Sequence, residues 1–296
     1  MAKSTLPTSL EQYTRVAETA ASEVIKVYST SFGFATNILG PECRQPVKNI
    51  YALVRIADEI VDGAADEAGL AHPTSDLSPG FYLSELELET YRAIKGGYST
   101  NPIVHAFATT AIEVGIDEEL IRPFFASMRA DLLQTEHSKE SFERYVFGSA
   151  EVVGLMCLKV FTHNHVFTPE QQQTLHRGAR ALGSAFQKIN FLRDLGADFQ
   201  KLGRSYFPGV NVKTFSEEQK FHLIDDIEHE LAISSEALPL LPRSSRRAVL
   251  SAQMLFEELV RQIAGTEASQ LLQTRISVPN LTKLRILNQA RKAARS

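Results

Sequence analysis

Apolar positions recur along this chain at spacings of three and four, the period of a helix buried on one side, and no convincing series of alternating strands interrupts them. Segments with this pattern cover 9–28, 43–62, 81–96, 102–115, 117–135, 140–165, 169–200, 216–237, 243–264 and 279–294. The pattern predicts an all-α protein, with residues 1–296 forming a single helical-bundle domain. Several boundaries have a local cause. Thr168-Pro169-Glu170-Gln171 offers an N-cap, a proline at the first helical position and a glutamine placed to close a capping box. Gly63 is expected to end the helix that runs to Asp62, and Pro239 and Pro242 separate two later helices. Gly63–Gly80, with Pro73, Ser75, Ser78 and Pro79, reads as a long loop. No repeat of fixed period is present.

Two of these helices combine a mostly apolar circumference with a narrow polar stripe. In YALVRIADEIVDG, Tyr51 to Gly63, an advance of about 100° per residue places Tyr51, Arg55, Asp58 and Asp62 within an arc of roughly 60°. Leu53, Val54, Ile56, Ala57, Ile60 and Val61 fill the other sides, so the stripe is expected to face an interior cavity. In FQKINFLRDLGAD, Phe186 to Asp198, the same arithmetic groups Gln187, Asn190, Asp194 and Asp198 within roughly 80°. Each stripe carries two carboxylates four residues apart, which repel along a helix. At ~6 Å and an effective dielectric of ~20 the repulsion is about 3 kcal/mol, and a cation between the stripes would offset it. Carboxylate and amide oxygens are hard ligands that suit Mg2+, an ion that keeps waters and recruits phosphate oxygens. A diphosphate substrate follows as the natural partner, with Arg55 and Arg193 as an anion clamp. Asp225, Asp226, Glu228 and Glu230 make a more acidic run, but on a polar helix that reads as surface.

Composition narrows the alternatives. The net charge is −4 with no basic block, which argues against a nucleic-acid partner. The two cysteines, Cys43 and Cys157, form no CxxC pair and fit inert thiols in a reducing compartment. No hydrophobic leader is visible, and no apolar run approaches the ~18–20 residues of a membrane span. The expected location is cytoplasmic, with peripheral membrane contact as an option. The cationic terminal helix, Lys283 to Arg295, suits either an anionic membrane surface or, preferentially, packing on the body. HExxH, P-loop and GxGxxG motifs are absent.

The two stripes, together with the QKINFLRDLGADFQKLGRSYFP run that contains the second, resemble the signature regions of squalene and phytoene synthases, the head-to-head prenyltransferases. The likeness runs over roughly residues 20–290 and is nearest to bacterial phytoene synthases. It implies an all-α isoprenoid-synthase fold around a central cavity. It also implies metal ligation by Asp58, Asp62, Asn190, Asp194 and Asp198. The ion would be Mg2+, with Mn2+ as a substitute, and no nucleotide cofactor is expected. Ser29, Ser31, Arg55, Gln187, Arg193, Arg204, Tyr206 and Arg275 would bind diphosphate, and Tyr51 and Tyr145 would line the reaction chamber. Tyr28, Glu59 and Ala197 depart from the common pattern, where histidine, aspartate and glutamate are frequent. Residues 145–156 resemble the helix that floors the prenyl pocket, with Gly148, Ser149, Ala150 and Gly154 either making room for long chains or permitting close helix packing. Glu151 has no evident reason to be there.

The implied activity is condensation of two geranylgeranyl diphosphates to phytoene through a cyclopropyl diphosphate. A squalene or dehydrosqualene synthase acting on farnesyl diphosphate is the nearest alternative. A non-catalytic prenyl-diphosphate-binding scaffold is an alternative of another class. Oligomeric state is not legible.

Overall fold

The computed structural model describes residues 6–70, 77–202 and 205–293. Fourteen α-helices make up the described residues in chain order. The first seven are α1 (Ser9–Tyr28), α2 (Thr30–Ile38), α3 (Pro41–Asp62), α4 (Ala64–Glu67), α5 (Pro79–Gly96), α6 (Pro102–Val114) and α7 (Glu118–Leu133). After them come α8 (Lys139–Val146), α9 (Val152–Thr162), α10 (Pro169–Leu202), α11 (Glu217–Ala237), α12 (Arg243–Ala264), α13 (Ala268–Leu271) and α14 (Asn280–Ala293). Among the described residues the β content is an isolated bridge between Glu136 and Ser205. The all-α expectation is therefore met.

Capping chemistry explains the sharp ends. Thr8 and Glu11 close a capping box on α1, and Ser216 and Gln219 close one on α11. On α10 the Gln171 N–H donates to Thr168 Oγ1 at 3.3 Å while the Thr168 N–H donates to Gln171 Oε1 at 3.0 Å, the reciprocal pair its sequence offers. Two predicted elements differ. The helix α2 was not anticipated, because it is set off from α1 by one extended residue, Ser29 (φ −141°, ψ 113°), and its short TSFGFATNI run has weak periodicity. The segment predicted as one helix over 140–165 is divided by a π-helical turn, Phe147–Glu151, and ends at Thr162. The predicted Gly63–Gly80 loop contains the short α4, and its residues 71–76 lie outside the described residues.

The π-turn sits where two neighbours press on one helix. A Cβ on Gly148 would overlap the Ser127 hydroxyl and the Pro123 carbonyl of α7, and one on Gly154 would lie 2.6 Å from the Ala179 carbonyl of α10. Both glycines therefore serve close helix packing, and Gly154, with Ser149 and Ala150, also lines the cavity described below, whereas Gly148 does not. Gly148→Ala is expected to cost about 2–3 kcal/mol through overpacking, seen as a fall of several degrees in the thermal midpoint. Glu151 gains its reason here as well. Its Oε2 accepts from Arg180 Nε of α10 at 2.6 Å, and the Arg180 guanidinium lies over the Phe147 ring, 5.2 Å from its centre.

By length and composition the 24-residue run Lys139–Thr162 is apolar enough to cross a membrane, contrary to the expectation that no run was. Its contacts give a core explanation: Gly148, Val152, Leu155 and Met156 are buried against neighbouring helices. The acidic run on α11 also differs from a plain surface. Asp225, Asp226 and Glu228 are exposed, but Glu230 is not, and Lys188 of α10 reaches both Asp226 (2.5 Å) and Glu230 (2.8 Å). This ionic staple joins α10 and α11, the two helices packed most extensively against each other.

Two large apolar clusters support the site. One gathers α3, α5, α6, α7 and α9 around Phe107, Phe124 and Phe125. The other gathers α8, α10, α11 and α12 around Ile189, Leu192 and Ile227. Between them, α2 and α3 stand across a cavity from α9, α10 and α12.

Candidate active site

The cavity has a volume of about 700 Å³ and two chemically different ends. Ser29, Tyr51, Arg55, Gln187, Asn190, Arg193, Arg275 and Lys283 line the polar end. Leu158, Phe161, Leu175, Leu238, Leu241 and Val249 line the apolar end. The stripes of α3 and α10 open onto one cavity through Tyr51, Arg55, Gln187 and Asn190, whereas Asp58, Asp62 and Asp194 are not among its lining residues. Phe186 and Phe256 stack in its wall with ring centres 3.7 Å apart.

The carboxylates are not bare. Arg55 Nη1 lies 2.7 Å from Asp58 Oδ2 and also pairs with Glu59. Glu59 in turn accepts the Ala64 N–H at 3.1 Å, so this acid ties Arg55 to the end of α3. Asp194 is held by two guanidinium groups: its neighbour Arg193, and Arg275, whose Nε lies 2.7 Å away across 81 residues of sequence. At Asp58 and Asp194 guanidinium groups therefore offset the carboxylate charge, and Arg55 and Arg193, expected as an anion clamp, rest on these acids. The Arg55 guanidinium also lies 4.3 Å from the centre of the Tyr28 ring. Tyr51 hydrogen-bonds Ser29, and burial, partly opposed by Arg55, raises its phenol above the ordinary range.

Neither Tyr145, expected to line the chamber, nor Tyr206 is among the residues lining this cavity; both pack with Phe191 in an aromatic cluster. Tyr206 stacks on Phe191 with centres 3.9 Å apart and lies 5.7 Å from the Tyr145 ring. Asp62, the last residue of α3, is close enough to Tyr145 to contribute to raising its phenol. The side chains of Ser31 and Asp198, and Arg204 altogether, lie outside the described residues. Cys157 lines the cavity, and burial pushes its thiol up to about 12, which leaves it an inert wall residue.

Two positions were missed by sequence reasoning. Lys283 adds a cation to the polar rim from α14. Asp131 of α7 is buried and accepts the Tyr145 hydroxyl at 2.8 Å. A signal for it exists: Ile121, Phe124, Phe125, Met128 and Asp131 share one helical face, so an acid occupies a core-facing position.

Among the described residues no three His, Cys, Asp or Glu side chains gather closely enough to hold a metal ion. The donor set still fits Mg2+ delivered with a diphosphate. That ion is bound through one or two carboxylates plus phosphate oxygens and waters, without an all-protein cage.

An α-helical cavity with a cationic and acidic mouth and a greasy interior defines a prenyltransferase of the isoprenoid-synthase fold. The chain belongs to the squalene/phytoene synthase family, whose sequence model matches residues 25–282. It is 26% identical to the 15-cis-phytoene synthase of Pantoea ananas, over 89% of this chain and 88% of that one. It is 27% identical to the chloroplastic phytoene synthase 3 of Zea mays, over 96% of this chain and 67% of that longer protein. In structure it resembles a crystallised dehydrosqualene synthase with a TM-score of 0.78 and 22% identity, over 97% of this chain and 99% of that one.

Proposed function

We propose that this protein is a phytoene synthase of carotenoid biosynthesis, joining two geranylgeranyl diphosphates head to head through a cyclopropyl diphosphate. The observation that supports a C20 substrate is the depth of the cavity. Its lining follows α10 from Asn190 to Leu175. Those 15 steps of an α-helix span about 22 Å. With carbon–carbon bonds of ~1.5 Å advancing roughly 1.25 Å each, an extended C20 prenyl chain spans about 19 Å and a C15 chain about 14 Å. The cavity accepts the longer chain with little to spare. It leaves about 8 Å of empty apolar space beyond the shorter one, and unfilled apolar space forfeits dispersion contacts.

Each residue then has a task. Asp58, Asp62, Asn190, Asp194 and Asp198 would hold Mg2+, which supplies stabilisation of the departing diphosphate's charge. Arg55, Arg193 and Arg275 meet the diphosphate oxygens at the mouth, where exchange from carboxylate to phosphate keeps each guanidinium paired. Ser29, Gln187, Lys283 and the Arg204–Tyr206 segment supply further donors. The apolar interior excludes water, which would otherwise quench an allylic cation. Peripheral contact with a membrane suits the hydrocarbon product.

Incubation with geranylgeranyl diphosphate and Mg2+ is expected to release diphosphate and yield phytoene, identified by mass and absorption spectrum, and chelation is expected to abolish both. Turnover of farnesyl diphosphate with none of the C20 substrate would replace this reading by the dehydrosqualene synthase alternative. Tight binding of either without diphosphate release would leave only the scaffold.

A further inference from the structure

We propose that Ser149 is a further catalytic residue of the reaction, its hydroxyl donating a hydrogen bond to the ester oxygen that joins the prenyl chain to its departing diphosphate. The inference rests on the prenyl-diphosphate chemistry proposed above.

Ser149 lies in the π-turn, Phe147–Glu151, and is a lining residue of the cavity. Its hydroxyl oxygen is enclosed and has no hydrogen-bond partner among the described residues. Other helical hydroxyls of this chain turn back onto the carbonyl four residues earlier. Ser84 donates to the Gly80 carbonyl, Thr90 to that of Leu86 and Thr162 to that of Leu158, each at 2.8 Å. The corresponding carbonyl for Ser149 is that of Tyr145, and it accepts the Ser127 hydroxyl of α7 at 3.1 Å. The Val152 N–H donates to the Phe147 carbonyl, so the turn is also wider than an α-helix. With no hydrogen bond to break, rotation about Cα–Cβ turns the Ser149 hydroxyl onto the bore.

Its level in the bore follows from two close approaches. A Cβ on Gly183 of α10 would lie 2.7 Å from the Ala150 carbonyl, and one on Gly154 would lie 2.6 Å from the Ala179 carbonyl. The two walls therefore run antiparallel. Ser149, one residue nearer the mouth than Ala150, stands opposite the stretch of α10 between Gly183 and Gln187, which spans about 6 Å. Side chains lean toward the N-terminus of their own helix, which carries Gln187 down the bore and Ser149 up it. The two polar groups converge where the polar end of the cavity passes into the apolar one. A diphosphate held by Gln187 has its deepest oxygen there, the one bonded to the first carbon of the chain.

A buried hydroxyl left unbonded is a cost to folding, and alanine, the residue at 150, would avoid it. The substrate gives the group a partner. As the carbon–oxygen bond breaks, its electron pair stays on the ester oxygen, and the growing charge strengthens the hydrogen bond from Ser149. The serine keeps its proton, and the diphosphate leaves with the negative charge. A donor that gains strength only as charge develops acts on turnover and leaves ground-state binding nearly unchanged.

The test uses the whole chain with geranylgeranyl diphosphate and Mg2+. Ser149→Ala is expected to lower the kcat of diphosphate release about 10–100-fold, with KM changed by less than about twofold. Its thermal midpoint should equal or exceed that of the wild type, because the variant no longer encloses an unmet hydroxyl. Ser149→Cys, similar in size but a weak donor, should lose activity as the alanine variant does. It also carries the test if the alanine variant fails to fold. Wild-type release by either variant would overturn the proposal. So would a rise in KM that accounts for the whole loss, or a loss that tracks a lower thermal midpoint. A wild-type chain that releases diphosphate from neither geranylgeranyl nor farnesyl diphosphate overturns the reading above, a result no Ser149 variant can mimic.

Discussion

Asp194→Asn is expected to lower Mg2+-dependent diphosphate release by about 10³-fold while the folded state persists. The loss of one group aimed at developing transition-state charge costs about 10²–10³ in rate, and Asp194 has two such duties. In the proposed reaction it would offer a hard oxygen to Mg2+, and in the structure it anchors both Arg193 and Arg275. Stability should change little. Arg275 is 65% exposed in its side chain and its pairing is screened by water. Removing the charge also relieves repulsion along α10, where Asp198 follows four residues later. Circular dichroism and a thermal midpoint would confirm an intact fold, and a diphosphate assay would give the rate. Release at the wild-type rate would remove the acidic stripes from the mechanism.

Ala179→Phe is expected to convert substrate preference. Ala179 lines the cavity wall 11 residues before Asn190 on α10, about 16 Å down the bore. A phenyl ring there leaves space for a C15 chain of about 14 Å but stops a C20 chain of about 19 Å. Burying a group in filled space costs about 1–3 kcal/mol. Turnover of geranylgeranyl diphosphate should therefore fall about 10–100-fold, and that of farnesyl diphosphate should hold or rise. Competition between the two substrates, with products separated by mass, measures the ratio directly. An unchanged ratio would mean that the chain does not lie along α10.

The polar stripes were legible in the sequence because direction around a helix is fixed by position, and both helices are apolar elsewhere. That each stripe faces inward follows from that alone, and local chemistry also marked the end of α3 at Gly63 and the capped start of α10; that they share a cavity is set by tertiary packing. What escaped depended on partners distant in sequence. Gly148 and Gly154 look alike in the sequence, yet Gly148 is closed against α7 while Gly154 packs on α10 and also lines the cavity. Glu151 is unintelligible without Arg180, and Glu230 without Lys188. Helix α2 was hidden by a single extended residue, Ser29. Asp131 did leave a trace, an acid in register with phenylalanines, but its meaning needs Tyr145 from another helix. The resemblance to the family supplied Arg275 as a candidate; its approach to Asp194 comes from tertiary structure that no spacing rule reaches.

The arginine pairing of Asp58 and Asp194 has a thermodynamic consequence. With Arg55 beside Asp58 and with Arg193 and Arg275 beside Asp194, these two acids carry a reduced electrostatic penalty at rest, so folding is expected to depend little on a divalent ion. The melting temperature should be the same in millimolar Mg2+ and in excess chelator, and should rise only when a prenyl diphosphate is added together with the ion. Ion and substrate would then arrive as one neutralised load that trades places with the guanidinium groups, and loading the ion alone would have nothing to gain.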